Sequence, residues 1–442
     1  MPAPPTATPP ATCPNGIVER APRTDFPGRL EIMNQAGIEK INIYASPLYL
    51  SQEELAKARG WDSPLFTGEY RLQNRSLIPT FEDTLTMAVN AASAILTPED
   101  KQQIGLLIFA TESSADFSAP ASAMAHWALG LSPHVRNFEI KFACYAGVAA
   151  TDIAMDWLEA GNRLDQKALV LIADLSRKHF RQPEEMVAGC SAAAILLSWH
   201  PEVMAWERLH TGIYSRQEYD FFRPTARLEL VDSSLSLFAY LEALEGAYRQ
   251  YAEKVGSGID PESHFDYLIY HMPFAGMAYQ AHRTLLSLAQ KRGQKEILAS
   301  FQRKVLPSLH FASQMGGSYG ASNAIGLCGL IHQERDRLQS GNRIGFYSYG
   351  SGSIGQFYSG ILLPGAVEVI AALDLERHFS SRRRVTVEEY EEIENERDHS
   401  TESMDYLPSL DVPQGCFETM YQGRNRLILK RIAGYRREYE WC

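Results

Sequence analysis

The stretch NFEIKFACYAGVAATDIAMDWLEAG, residues 137–161, begins as an apolar strand, passes through Cys144 and continues as a helix. Its helical part places Ala150, Ile153, Ala154, Trp157 and Leu158 on one side, and Gly161 stands where the helix should stop. A thiol that only fills space belongs within a packed face. Cys144 instead lies at a strand-to-helix junction. There, unpaired backbone N–H groups and the helix dipole favour a thiolate and can hold an oxyanion.

Outward from this junction, strand and helix patterns alternate. The segment around Ile38 to Tyr44 reads as a strand, and Ser51 with Glu54 has the spacing of a capping box opening a helix. IGLLIFA (104–110) is apolar without alternation, as expected of a strand covered on both faces, and a helix is expected over 119–129. KALVLIAD (167–174) and SAAAILLSW (191–199) are two more strands of the buried type. Further on, DYLIYHMP (266–273) reads as a strand, followed by helices up to Gln290 and over 296–308. A Gly-rich turn at 316–320 leads into the helix ASNAIGLCGLI, and RIGFYSYGSGSIGQFYSGILL (343–363) reads as two strands joined by a Gly/Ser turn. This order predicts a layered α/β fold with internal duplication, in halves of approximately 37–210 and 211–442. Residues 1–36, rich in Pro, Ala and Thr, read as a flexible tail, and the charged stretch 380–405 as an exposed excursion.

The 442 residues are 45% hydrophobic and 21% charged, which suits a soluble globular protein with a large core. A net charge of -11 argues against broad binding to nucleic acid. The cysteines are scattered with no CxxC pair, which fits a reducing, cytoplasmic setting. No apolar run reaches about 18 residues, so no membrane span is expected. The N-terminus lacks the pattern of a secretory signal.

Two further residues occupy strand ends. Glu112, in FATESSADFSA, follows the 104–110 strand, and its apolar approach allows the raised pKa that a general base near neutral pH requires. His271, in LIYHMPFAGM, ends another strand, and Pro273 keeps a helix from starting early. Singly, each has a plainer reading: a buried small residue, a helix cap, a structural imidazole. Together, a thiol, a carboxylate and an imidazole suit acyl transfer and carbon–carbon bond formation. The SYGSGS turn (348–353) reads either as an ordinary tight turn or as backbone brought close to a reacting centre.

ATES, ACYAG, YDFFRPT, HMPFAGM and FYSYGSGSIGQFYSG, in this order, resemble the HMG-CoA synthase family of the thiolase superfamily, over residues 37–435. The resemblance implies the five-layered αβαβα thiolase fold, a homodimer, and no intrinsic cofactor or metal. It implies that Cys144 accepts the acyl group, that Glu112 deprotonates the methyl of the acyl-cysteine and that His271 orients the acceptor's ketone. Substrate contacts are implied at Tyr219, Phe222, Arg223, Pro273, Phe274, Tyr319, Ser322, Tyr349, Gly350 and Ser351.

Two departures narrow the resemblance. Gly276 stands where the family's HxPFxK motif has a lysine that helps hold coenzyme A, and Gly317 and Ser318 stand within GGSYGAS where GNxYTxS is usual. HMPFAGM…AHR and the C-terminal RIAGYRREYEWC look more like the polyketide-associated members. Those condense an acetyl group from an acyl carrier protein with a β-ketoacyl carrier protein. Donor and acceptor acyl carrier proteins are therefore the implied partners, with phosphopantetheine as the substrate-carrying arm. Such partners are acidic and need a basic patch, for which Arg177, Lys178, Arg181 and Arg283 are candidates and Arg382, Arg383 and Arg384 a second cluster. The alternative is HMG-CoA synthase of mevalonate biosynthesis, using acetyl-CoA and acetoacetyl-CoA. The Glu–Cys–His order argues against a ketoacyl synthase or thiolase, and retention of all three groups argues against a non-catalytic carrier-binding scaffold.

Overall fold

A computed structural model describes residues 35–176, 179–256 and 258–442. The expectation of a tail over 1–36 falls almost wholly outside the described residues, as do Arg177 and Lys178.

Ten strands form one mixed sheet. Nine of them run in the order Tyr267–Tyr270, Arg343–Gly350, Ile354–Leu362, Met204–Trp206, Gly37–Tyr44, Cys190–Ser198, Lys167–Leu175, Ile104–Ala110 and Arg136–Ile140, and Gly212–Ser215 pairs with Ile354–Leu362. The 104–110 strand is parallel to both neighbours. As its unbroken apolar run predicts, both of its faces are covered. Leu106, Ile108 and Ala110 join one core cluster, whereas Leu107 and Phe109 join another. The 167–175 strand divides likewise, with Val170 and Ile172 on the first side and Leu169 and Leu171 on the second.

The second side is packed by the helix Thr84–Ser93 and the helix Ala121–Ala128. The first side meets the helices Ala146–Ala160 and Ser322–Glu334, whose opposite flanks lie against strands of the 267–362 part of the sheet. Beyond those strands lie the helices Ser233–Val255 and Met277–Ala289. The result is the layering of the thiolase fold, with two apolar helices in the middle layer. The Ser322–Glu334 helix buries every residue from Ser322 to Ile331, because it has sheet on both sides.

Three local expectations are corrected. Ile153 was assigned to the packed face of the 146–160 helix but is 38% exposed, while Thr151 and Met155 are buried. Two surrounding layers widen the covered arc, so a single stripe misplaces its edge. Ser51 does cap its helix by accepting from the Glu54 N–H, but the Glu54 carboxylate pairs with Arg384 instead of closing a box. The stretch 380–405 is not an exposed excursion. Arg383–Val385 adds a parallel strand beside Leu48–Ser51, and the helix Val387–Ser400 buries Tyr390, Ile393, Glu394 and Arg397. Arg382 is itself buried, against Tyr49 and Phe379, and donates to Ser76. Arg383 and Arg384 pair with Glu389 and Glu54. That cluster holds the fold together and is not a free basic patch.

Candidate active site

Cys144 lies in the turn between Arg136–Ile140 and the 146–160 helix, just before the helix cap Tyr145. Ala143 has φ +40°, the left-handed region that a side chain makes costly, and so bends the chain sharply immediately before the thiol. The far end of the sheet presses on this turn. A Cβ at Gly350 would stand 2.6 Å from the Tyr145 Cβ and 2.9 Å from the Phe142 carbonyl oxygen, so only glycine fits there. The SYGSGS turn is therefore a close backbone approach to the cysteine, the second of its two readings.

Glu112 follows the 104–110 strand, and its Oε2 is 4.0 Å from the Cys144 Sγ. Its carboxylate, 5% exposed, faces the Arg223 guanidinium at 3.0 Å, and Arg223 also pairs with Glu229. Arg223 donates further to the Ser113 Oγ at 3.1 Å and the Leu175 carbonyl at 3.2 Å. Asp174, at the end of the 167–175 strand, accepts from the Glu112 N–H at 2.8 Å, the Thr111 hydroxyl at 3.0 Å and the Gly320 N–H at 3.3 Å. It thereby ties the Glu112 loop to the entrance of the second central helix. One guanidinium thus pairs with two buried carboxylates, Glu112 and Glu229, and its charge also lowers the pKa of Asp174. Burial, reinforced by Asp174 and Glu229 and only partly offset by Arg223, pushes the Glu112 pKa up to about 8. Burial pushes Asp174 up to about 6.

The same surroundings overturn the expectation of a thiolate at rest. Burial first, then the charges of Glu112 and Asp174, raise the Cys144 pKa well above its ordinary value. Proximity to a helix N-terminus does not outweigh desolvation among carboxylates. The resting nucleophile is a neutral thiol beside a potential proton acceptor.

His271 directly follows the Tyr267–Tyr270 strand and is 1% exposed. Its N–H donates to the Tyr347 carbonyl at 2.7 Å, and its own carbonyl accepts from the Tyr240 hydroxyl at 2.8 Å. The next residue is clamped as well: Met272 donates from its N–H to the Ser322 Oγ, and its carbonyl accepts from the Ser318 Oγ. Burial drops the imidazole pKa to about 3, so the ring is neutral, and its Nδ1 has no hydrogen-bond partner among the described residues. The ring lies 6.4 Å from that of Tyr349, and the Tyr349 hydroxyl donates to Asp220 at 2.8 Å.

The other expected contacts separate. Arg223, Tyr319, Tyr349 and Gly350 belong to the cluster, with the Arg223 guanidinium 5.5 Å from the centre of the Tyr319 ring. Phe274 is half-buried against Tyr70, ring centres 4.6 Å apart, and Pro273 and Ser351 are half-buried. Tyr219 is 66% exposed and Phe222 38%, on a surface hairpin whose next residue, Arg223, turns inward. Ser322, expected to contact substrate, is fully buried, and its Oγ accepts from the N–H of Met272, the residue after His271. Arg181 and Arg283 are exposed. Sequence reasoning gave no role to Asp174, Asp220, Glu229, Ser113, Tyr240 or Ser318. Asp174 did carry a signal, since it ends a buried strand exactly as Glu112 and His271 follow theirs.

Chemically, this is a place to form a thioester on sulfur while a carboxylate handles protons beside it, on the framework of a thiolase-fold acyltransferase. The chain belongs to the hydroxymethylglutaryl-CoA synthase family: the model of that family's C-terminal region matches residues 204–297 and 286–441. It is 33% identical over 423 residues to the polyketide biosynthesis 3-hydroxy-3-methylglutaryl-ACP synthase PksG of Bacillus subtilis, covering 92% of this chain and 100% of the relative. It is 31% identical over 359 residues to the hydroxymethylglutaryl-CoA synthase of Enterococcus faecalis, covering 80% of this chain and 90% of that one. Among solved structures, the curacin biosynthetic pathway HMG synthase superposes with a TM-score of 0.87 at 33% identity, covering 92% of this chain and 100% of that one.

Proposed function

We propose that this enzyme is a polyketide β-branching HMG synthase acting between acyl carrier proteins. Cys144 takes an acetyl group from acetyl-acyl carrier protein, releasing the carrier's phosphopantetheine thiol. Glu112 then removes a proton from the acetyl methyl. The resulting carbanion attacks the β-ketone of a β-ketoacyl carrier protein, and the neutral imidazole of His271 polarises the ketone oxygen through an N–H. Water finally splits the Cys144 thioester, leaving the HMG-type product on the acceptor carrier. The 4.0 Å approach of Glu112 to Cys144, with the buried carboxylate held against Arg223, supports the division of labour.

The choice of carrier protein over coenzyme A rests on the likeness to the curacin enzyme, which has been solved in complex with acetyl donor-ACP at 32% identity and a TM-score of 0.87. Gly276 supports it. A Cβ there would stand 2.2 Å from the Glu69 carbonyl oxygen and 2.8 Å from the Tyr70 Cα, so backbone already fills the space a lysine would need. The docking surface we assign includes Arg177, Lys178, Arg181 and Arg283, whose positive charge complements an acidic carrier. Next to this stretch in the chain, the His179 Nε2 lies 2.6 Å from a carboxylate oxygen of Glu229, the partner of Arg223. A homodimer in the cytoplasm completes the reading. No described helix is long and apolar enough to cross a membrane.

The test is intact-mass measurement after mixing the enzyme with acetyl-carrier protein or acetyl-CoA. An acetyl adduct formed rapidly from the carrier, and lost in Cys144→Ala, is expected. Acylation from acetyl-CoA alone would assign the chain to the mevalonate reaction instead.

A further inference from the structure

We propose that His310, His332 and Glu376 form a binding site for a divalent transition-metal ion of the zinc class, apart from the catalytic cluster. The three ligand atoms, one from each side chain, lie within 4.8 Å of one another. A single carboxylate oxygen, Glu376 Oε2, is 3.0 Å from the His310 Nε2 and 3.4 Å from the His332 Nε2. Donors around a tetrahedral zinc ion with bonds of about 2.1 Å stand roughly 3.4 Å apart, so these edges are close to those of a coordination shell. As a hydrogen bond, the 3.4 Å contact is long. Two imidazoles and one carboxylate form a donor set that suits zinc and leaves a coordination position open.

The ligands are organised before any ion arrives. They come from three elements: the residue after the turn Leu306–Leu309, the last turn of the central helix Ser322–Glu334, and the helix Leu375–Ser380. The two imidazole rings are nearly parallel, with centres 5.4 Å apart at 18°. Phe311, fully buried, contacts both rings and stacks at 4.6 Å on Phe379, which shares a helix with Glu376. One aromatic cluster therefore fixes the ring planes and the third ligand's helix together. The C-terminal end of the 322–334 helix adds partial negative charge favourable to a cation. The opposing charge is Arg335, which donates to the His332 carbonyl. An ion here would staple the central helix to two outer elements.

The experiment uses the full chain freed of metal with a chelator, titrated with zinc against a chromophoric competitor. Glu376→Gln and His310→Gln, at exposed or half-exposed positions, are compared with wild type, and Cys144→Ser controls for binding to the catalytic thiol. One equivalent should bind to wild type and Cys144→Ser, with a rise in Tm and, for cobalt, tetrahedral absorption bands. Each ligand variant should weaken binding by about tenfold or more. Magnesium should do nothing. Unchanged zinc affinity in the ligand variants, loss of binding in Cys144→Ser, or no stoichiometric binding to wild type would each overturn the site.

Discussion

Replacing Glu112 by Gln keeps the shape of the side chain and removes its capacity to accept a proton. With its pKa raised to about 8, about 1% of Glu112 is ionised at pH 6 and half at pH 8. The condensation rate of wild-type acetyl-enzyme should therefore rise about ninefold from pH 6 to 7, about fivefold more from pH 7 to 8, and level off above about pH 9. Loss of a positioned general base costs about 10²–10⁴-fold, or roughly 3–5.5 kcal/mol of barrier. Glu112→Gln should fall by that factor at the plateau and lose the pH dependence. Acylation should suffer less, because the substitution also removes a negative charge that raises the Cys144 pKa. The assay is single-turnover chemistry: Cys144 is loaded with a labelled acetyl group, acceptor is added, and product is followed by quenched flow at each pH. The same carboxyl has a stability signature. Its folded pKa lies above its unfolded value, so its contribution is full below about pH 4.5 and is lost as pH rises through about 8. The Gln variant should thus gain Tm relative to wild type above pH 8. Condensation by Glu112→Gln within about fivefold of wild type, or a flat wild-type profile from pH 6 to 8, would refute the assignment of the base.

Arg223→Met leaves Glu112 and Glu229 buried without their cation and should cost about 3–5 kcal/mol of stability in urea denaturation. It should also move the condensation profile to higher pH, since Arg223 lowers the Glu112 pKa. Gly350→Ala forces a methyl onto Tyr145 and should destabilise by about 1–3 kcal/mol while slowing acylation, read from the rate of adduct formation. Arg181→Glu should raise KM for acetyl-carrier protein several-fold and leave acylation by acetyl-pantetheine unchanged.

The sequence alone placed Glu112 and His271 at the ends of apolar strands, because period and burial of a strand are written in its composition, and Cys144 at a strand-to-helix junction, although the strand before it, Arg136–Ile140, is a partly exposed edge strand and not an apolar one. It also identified the two central segments as helices, one of them the apolar run ASNAIGLCGLI, which the structure buries between layers. What it could not supply was the state of those groups. Whether Cys144 rests as thiol or thiolate depends on how many carboxylates share the Arg223 guanidinium, and Glu112, Asp174 and Glu229 come from distant parts of the chain. The charged stretch 380–405 read as exposed because charge is a local property. Its burial followed from partners such as Glu185, which accepts from the Tyr390 hydroxyl across 205 positions. Local pattern fixes which residues reach a strand end, whereas protonation and docking are pairwise energies that exist only once distant segments have met.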